Sequence, residues 1–277
     1  MTWLTAFHLP FFQHALIAVL FAGIVFPLIG VFIISLDLVP LRFAMMHVAL
    51  LGGAVGLFLK VDPMLFGLLF CILAAAVMGP LSERMKMGLG TISGLFMTLT
   101  IALAFILFYR GQINVLQAFS ILWGNILSLT LWDIVVVAAT SLFVIVIVVI
   151  FFKEIQVILY DREIALSVGI PEKQIYYLII FMLGVTIAVS MRLIGALLVD
   201  AFVLLPAIAA RLVARSLKQM FVLASLFGLI SGLGGLHFSL AVDVPASSAI
   251  IIVASAIIML CILLKRRFVR YGRIMEK

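Results

Sequence analysis

Long runs of uncharged residues constrain this chain of 277 residues more than any other feature. Nine runs are 17 residues or longer, and the one long polar interruption extends from Lys153 to Lys173. A hydrocarbon core about 30 Å thick needs roughly 20 apolar residues at helical rise, and every spanning segment must satisfy its own backbone hydrogen bonds. A β-barrel would need alternating segments of about ten residues, whereas residues 134–152 are apolar on every face. The sequence therefore predicts an all-α, polytopic membrane helix bundle.

Composition excludes most other classes of protein. The chain is 67% hydrophobic and only 10% charged, so no soluble catalytic domain fits beside the apolar runs. Cys71 and Cys261 stand singly within apolar runs, so neither a disulfide framework nor a thiolate metal site is indicated. The start of the chain is apolar but has neither a basic region nor a cleavage site, so we expect it to be retained. Residues 1–277 are predicted to form a single transmembrane domain.

The predicted number of spans is eight to nine, with residues 113–129 forming a broken or re-entrant connection. The segment 176–214 is just long enough for two short helices, so merging or breaking them would give eight or ten spans. The predicted spans lie near residues 12–36, 43–59, 63–82, 88–109, 132–152, 175–192, 197–212, 219–238 and 246–264.

The basic residues predict the orientation of these spans. The net charge is +7, but the basic residues lie at the ends of the spans, so it does not indicate nucleic-acid binding. With the N-terminus outside, fifteen basic residues fall on one side, and three (Lys60, Arg110 and Arg192) fall on the other. Because cytoplasmic loops carry an excess of Lys and Arg, the fifteen are assigned to the cytoplasm. The segment 153–175 and the basic tail 265–277 are therefore predicted to be cytoplasmic. The fifteen are Arg42, Arg84, Lys86, Lys153, Arg162, Lys173, Arg211, Arg215, Lys218, Lys265, Arg266, Arg267, Arg270, Arg273 and Lys277.

The polar interruption has the pattern of a short amphipathic helix followed by a turn. Residues 159–175, LYDREIALSVGIPEKQI, combine helix-forming residues with an acidic and basic cluster, and Gly169 followed by Pro171 is a stop signal. A transporter driven by a soluble motor needs a rigid part of this kind, because motion reaches membrane helices only through their cytoplasmic ends. The alternative is an ordinary solvated loop. We call residues 153–173 the handle.

Several stretches resemble one known family in the same order along the chain. They are HVALLGGAVG at 47–56, WGNIL at 123–127, LYDREIALSVGIPEKQI at 159–175, GALLVDAFVLLPAIAARLVA at 195–214, SLKQM at 216–220 and VPASSAIIIV at 244–253. This ordered set resembles the membrane permeases of the zinc, manganese and iron family of ATP-binding-cassette importers. The resemblance extends over nearly the whole chain.

The resemblance implies an assembly. Permeases of this family are multi-pass proteins of the bacterial plasma membrane that form a homodimer around a path for a transition metal ion. They receive the ion from an extracytoplasmic binding protein and dock cytoplasmic ATPase subunits. By resemblance, Asp161, Arg162, Glu163 and Gly169 couple this chain to its ATPase. The chain contains no GxxxxGK[ST] motif, so any ATP hydrolysis must come from a partner, and we expect neither enzymatic activity nor a bound cofactor here.

The sequence departs from the family pattern at one possible metal ligand. Members of the family usually carry an aspartate four residues before a histidine in the second span, which puts a carboxylate and an imidazole on one helical face. Here the histidine is His47, but Phe43 occupies the aspartate position. His47 is therefore expected either to bind the passing metal ion or to form a packing hydrogen bond between helices.

Asp200 is an unusual acid at membrane depth. A carboxylate there costs about 2.5–3.5 kcal/mol, so it should face a cavity, an ion or a cationic partner. Three interpretations stay open at this point: an ion pair with Arg192, a ligand of the substrate path together with His47, or simple hydration near the outer interface.

Two further residues suggest an outer entrance for the metal ion. His237 and Asp243 flank the last predicted outer turn, where they would meet an incoming ion or the binding protein, although a plain role at the end of a loop is the alternative.

Two rival functions remain. Because Phe43 removes a first carboxylate ligand, a permease for chelated metal, such as siderophore-linked iron, is an alternative substrate class. An ATP-independent secondary transporter would instead show inverted repeats with two broken helices, which the sequence does not indicate.

Overall fold

The computed structural model describes residues 9–114, 129–194 and 196–275, with side chains at 192–198, 200 and 266–275 left aside. Within these ranges the regular secondary structure is entirely helical, which confirms the all-α prediction. The helices are α1 Pro10–Ser35, α2 Val39–Leu59, α3 Pro63–Arg84, α4 Leu89–Arg110, α5 Leu131–Ile150, α6 Phe152–Tyr160, α7 Arg162–Ser167, α8 Glu172–Ile194, α9 Ala196–Val213, α10 Leu217–Val242 and α11 Ala246–Met275.

Eight of the described helices are long and apolar enough to cross a membrane, as predicted: α1 to α5, α8, α10 and α11. The predicted span at 197–212 coincides with α9, whose residues Ala201–Val213 form a shorter apolar helix. The predicted broken connection at 113–129 falls almost entirely outside the described residues.

Short polar turns separate consecutive spans. Asp62 caps α3 by accepting a 2.9 Å hydrogen bond from the backbone N–H of Met64, and Pro63 follows it in the first turn. Lys60, Lys86 and Asp243 adopt the left-handed conformation just after α2, α3 and α10. Such a residue ends a helix and reverses the chain within a few residues, so these spans run antiparallel to their successors.

The chain forms two compact units. Among the described residues, the terminal unit contains 9–31, 129–134 and 200–275, and the central unit contains 32–114, 135–194 and 196–199.

In the central unit, α2 packs against α3 and α4, and α8 packs against α2 and α3. The helices approach closely where side chains are small: a Cβ on Gly52 would meet the backbone of Phe66 and Gly67. Cys71 donates a 3.4 Å hydrogen bond to the Met45 carbonyl. Small residues at helix interfaces are the usual means of packing in membranes, because lipid supplies no hydrophobic drive for helix association.

The terminal unit uses the same device. The backbones of Gly23 in α1 and Gly228 in α10 lie against each other, so a side chain at either position would clash. Nearby, Ser225 donates a 2.6 Å hydrogen bond to the carbonyl of Ile24. Interhelical hydroxyl bonds of this kind add to close packing in apolar surroundings.

Candidate functional site

The handle consists of two short helices joined at Asp161. The predicted short helix corresponds to α7, and the nine-residue α6 precedes it. Asp161 has extended backbone, and its carboxylate accepts hydrogen bonds from the N–H groups of Glu163 at 2.7 Å and Ile164 at 3.1 Å. Asp161 is therefore the N-cap of α7, which gives one of the predicted coupling residues a structural role.

Gly169 ends α7 in a Schellman motif. Its φ is +80°, its N–H donates to the Leu166 carbonyl at 3.1 Å, and the N–H of Ile170 donates to the Ala165 carbonyl at 3.0 Å. These two bonds satisfy carbonyls that the end of the helix leaves open, and the positive φ favours glycine.

An ion pair with a buried carboxylate holds α7 against α8. The Arg162 guanidinium binds the Glu172 carboxylate and lies 3.9 Å from the centroid of the Tyr176 ring. The Glu172 side chain is only 3% exposed, whereas that of Arg162 is 42% exposed. Because a buried carboxylate is costly without its partner, the pair fixes the position of α7 at the start of α8.

A second contact joins the handle to α3. The Lys173 ammonium lies 3.1 Å from the Glu83 carboxylate. Glu83 is in the last turn of α3 and Lys173 in the first turn of α8. The contact puts the ends of these two spans on one face of the central unit, as the charge pattern predicts for Arg84, Lys86 and Lys173.

The exposed surface of the handle is apolar, although the handle lies outside the candidate spans. Tyr160, Ile164, Leu166 and Val168 are between 44% and 83% exposed, and the Glu163 side chain is exposed beside them. Exposed apolar groups clustered around a charge are typical of a docking surface for another protein.

His47 lies half-buried on α2 in the central unit. Its Nδ1 is 2.7 Å from the carbonyl oxygen of Phe43, one turn earlier. Because a carbonyl only accepts, this bond requires a proton on Nδ1, so the neutral ring carries its lone pair on Nε2. That is the tautomer in which Nε2 binds a metal ion, with the other nitrogen oriented by a carbonyl.

Arg42 is a feature of this site that sequence reasoning missed. Its side chain is 1% exposed, its guanidinium lies 4.1 Å from the Phe43 ring centroid, and its Nη1 lies 3.8 Å from the Met46 sulfur. A cation thus stacks on the residue that replaces the family's aspartate. The only sequence signal is a single Arg at the start of an apolar helix, after Pro40.

Asp200 lies in α9, six residues before Pro206. Its side chain and that of Arg192 fall outside the described residues, so the alternatives for Asp200 stay predictions. The stretch WGNIL at 123–127 and the side chains of the tail beyond Lys265 are likewise outside the described residues.

His237 and Asp243 lie at the end of α10 in the terminal unit, and both are exposed. Asp243 has a φ of +57° and donates its N–H to the Ser239 carbonyl, while the Ser239 hydroxyl donates to the Val244 carbonyl at 2.6 Å. Asp243 is therefore part of the turn that follows α10, His237 lies six residues earlier within the helix, and the outer entrance stays a prediction. Within the described part of the chain, no group of three or more His, Cys, Asp or Glu is arranged to hold a metal ion.

Comparison with known proteins gives a consistent set of relatives. The model of the ABC 3 transport family matches residues 8–265. The chain is 27% identical to the manganese transport system membrane protein MntC of Halalkalibacterium halodurans, over 89% of this chain and 85% of the relative. It is 25% identical to the high-affinity zinc uptake system membrane protein ZnuB of Haemophilus influenzae, over 90% of this chain and 97% of the relative. It is 26% identical to the chelated iron transport system membrane protein YfeD of Yersinia pestis, over 89% of this chain and 83% of the relative.

The fold also matches a solved structure. A chain of PsaBC from Streptococcus pneumoniae, solved in complex with a Fab, superposes with a TM-score of 0.80. The two chains are 28% identical, and the match covers 95% of this chain and 96% of that one.

Proposed function

Because the chain belongs to the ABC 3 transport family, we propose that it is the membrane-spanning subunit of an ATP-driven importer for a transition metal ion. Its relatives include proteins named for the transport of manganese, zinc and chelated iron, so the proposed substrate is one of these metals. The chain itself is a multi-pass membrane protein, and ATP hydrolysis is assigned to a separate cytoplasmic subunit.

The observation that carries the proposal is the construction of the handle. Its exposed face is apolar and suited to an ATPase subunit. The opposite face, which packs against the membrane helices, is held to them by charged pairs. Movement of a docked partner would pass through Arg162 and Glu172 to α8, and through Lys173 and Glu83 to α3. A rigid connection of this kind converts closure of ATPase subunits into movement of the spans.

The proposed assembly contains two copies of this chain around one path, two ATPase subunits on the cytoplasmic side, and an extracytoplasmic binding protein. His47 and Asp200 are proposed to line the path, with the Nε2 of His47 as a ligand that suits manganese, iron and zinc. His237 and Asp243 are proposed to meet the ion at the outer entrance.

A chelated metal is the second candidate substrate. The observation that favours it is Phe43, which is 40% exposed at the position where the resemblance implies an aspartate. A chelate would not need the carboxylate ligand that is missing there. Competition between free metal and its chelate in an uptake assay distinguishes the two substrates.

Charge reversal on the handle tests the proposal. Glu163 is exposed on α7, so Glu163→Arg should leave the fold intact while disrupting a charged contact with the ATPase, which typically costs 2–5 kcal/mol when buried in an interface. We expect manganese or zinc uptake by cells that depend on this chain to fall at least tenfold. Lys153→Glu, a reversal at the start of the handle, serves as the control for charge alone. Normal uptake with Glu163→Arg at equal membrane abundance would make the handle an ordinary loop.

A further inference from the structure

A groove of about 480 Å³ lies within the terminal unit, between the end of α9, the first half of α10 and the second half of α11. Arg215 and Lys265 line it together with apolar residues, among them Phe227, Ile230 and Ile257. None of the lining residues, all within the described chain, is acidic. The groove therefore has an apolar wall and two basic residues, and no acidic side chain is among the residues that line it.

The depth of the groove matches one leaflet of a bilayer. Lys265 ends the candidate span of α11, and Ile257 lies eight residues earlier, which is about 12 Å along a helix. Arg215 precedes α10, and Ile230 lies 13 residues after Leu217, about 20 Å into that helix. Half of the hydrocarbon core is about 15 Å. The groove thus runs from the membrane surface, where its cations are, to about the middle of the bilayer.

The two cations are placed to meet a ligand at the membrane surface. Arg215 and Lys265 are both exposed, and they come from different segments, the turn between α9 and α10 and the last turn of the α11 span. Ile230 and Leu260, which line the apolar part, are 46% and 57% exposed. A ligand that fits has a negative head and a long apolar tail. Basic pockets between spans on the cytoplasmic side bind anionic lipid headgroups in this way.

We propose that this groove is a binding site for an anionic phospholipid of the cytoplasmic leaflet. The phosphate-bearing head contacts Arg215 and Lys265, and one acyl chain lies against Ile230 and Ile257 between α10 and α11. The lipid links the α9–α10 turn to the end of α11.

Lipid binding to the purified chain tests the proposal. In a neutral detergent, native mass spectrometry would compare phosphatidylglycerol with phosphatidylcholine of the same acyl composition. Two basic residues near an anionic group predict a preference for phosphatidylglycerol on the order of 30-fold. Equal retention of the two lipids by the unaltered chain would overturn the proposal without recourse to any variant.

Variants then locate the site. The double change Arg215→Gln with Lys265→Gln should remove most of the preference, whereas Lys218→Gln, an exposed basic residue of α10 that does not line the groove, should preserve it. Ile230→Trp should lower retention of phosphatidylglycerol by filling the apolar part, and Val222→Trp, exposed on the same helix outside the groove, should not. Full preference in the double variant would contradict the assignment.

A second copy of the chain is the competing occupant. A cysteine introduced by Leu260→Cys, with Cys71 and Cys261 replaced by alanine, should not form a disulfide between protomers in native membranes if lipid fills the groove. Efficient cross-linking at this position would overturn the lipid site and make the groove a protein interface.

Discussion

Phe43 and His47 occupy one turn of α2, and their contacts determine what a metal ion would meet there. The Phe43 carbonyl orients the imidazole, and the Phe43 ring supports the Arg42 guanidinium. The family resemblance implies a carboxylate ligand at position 43, and Asp200 is proposed to supply it from another span.

The residue-scale prediction concerns this carboxylate. Asp200→Asn should reduce uptake of free metal ion at least tenfold without reducing assembly, because the path loses its anionic ligand. Adding Phe43→Asp should restore uptake only in part, since Arg42 would compete with the metal for the new carboxylate. Radioactive metal uptake, with membrane abundance measured in parallel, checks both variants.

The ion-pair alternative makes a different forecast for the same residue. If Asp200 pairs with Arg192, then Asp200→Asn should lower the amount of folded protein, because it leaves a cation in apolar surroundings. Adding Arg192→Gln should then restore both folding and transport. That outcome would exclude Asp200 as a ligand.

Sequence reasoning at this scale succeeded where a residue's role is local. Gly169 was expected to end a helix, and it does so with a φ of +80°, a conformation that glycine adopts readily because it has no Cβ. Arg42 was not expected to be buried. Its burial depends on stacking against Phe43 and on the packing of α2 within the central unit, and neither can be read from the position of one Arg in the chain.

At the scale of elements, the end of α7 decides how the handle is held. A β-branched residue at Gly169 would have to adopt a φ of +80°, which costs roughly 1–2 kcal/mol or more for an L-residue. Gly169→Val should therefore unwind the last turn of α7 and lower both metal uptake and metal-stimulated ATP hydrolysis several-fold.

Gly88 offers a matched control for this substitution. It is the N-cap residue before α4, its φ is −58°, and a Cβ would meet no other atom within 4 Å, as at Gly169. Gly88→Val should retain uptake close to that of the unaltered chain. Equal activity of the two variants would show that the conformation of Gly169 is irrelevant to coupling.

The spans were the most predictable elements because long apolar runs leave few alternatives. The predicted bounds differ from the observed helices by at most four residues, except that α11 continues eleven residues beyond the predicted end at 264. The helix α6 was not predicted, because the predicted span ended at residue 152 and the predicted short helix began only at residue 159. Its amphipathic signal was present, since Ile155 and Ile158 are three residues apart and both are buried. The break at Asp161 was harder to foresee, because it depends on the side chain capping the following helix.

On the scale of the whole molecule, the charge asymmetry predicts which face is cytoplasmic. Single cysteines introduced by Lys60→Cys and Lys153→Cys, in a chain lacking Cys71 and Cys261, should react with an impermeant thiol reagent from opposite sides of intact cells. Both positions are exposed, so access depends on the membrane alone. Labelling of Lys60→Cys from outside is expected, and equal labelling of both from outside would reject the orientation.

Transport by purified components tests the central claim most directly. The chain would be reconstituted in liposomes with its cytoplasmic ATPase and its extracytoplasmic binding protein, and accumulation of radioactive manganese and zinc would be followed with and without ATP. The account predicts accumulation of one of these metals against its gradient only when ATP is supplied on the handle side, and loss of that accumulation with Glu163→Arg. Metal uptake at the same rate without ATP, or driven by an ion gradient alone, would contradict it.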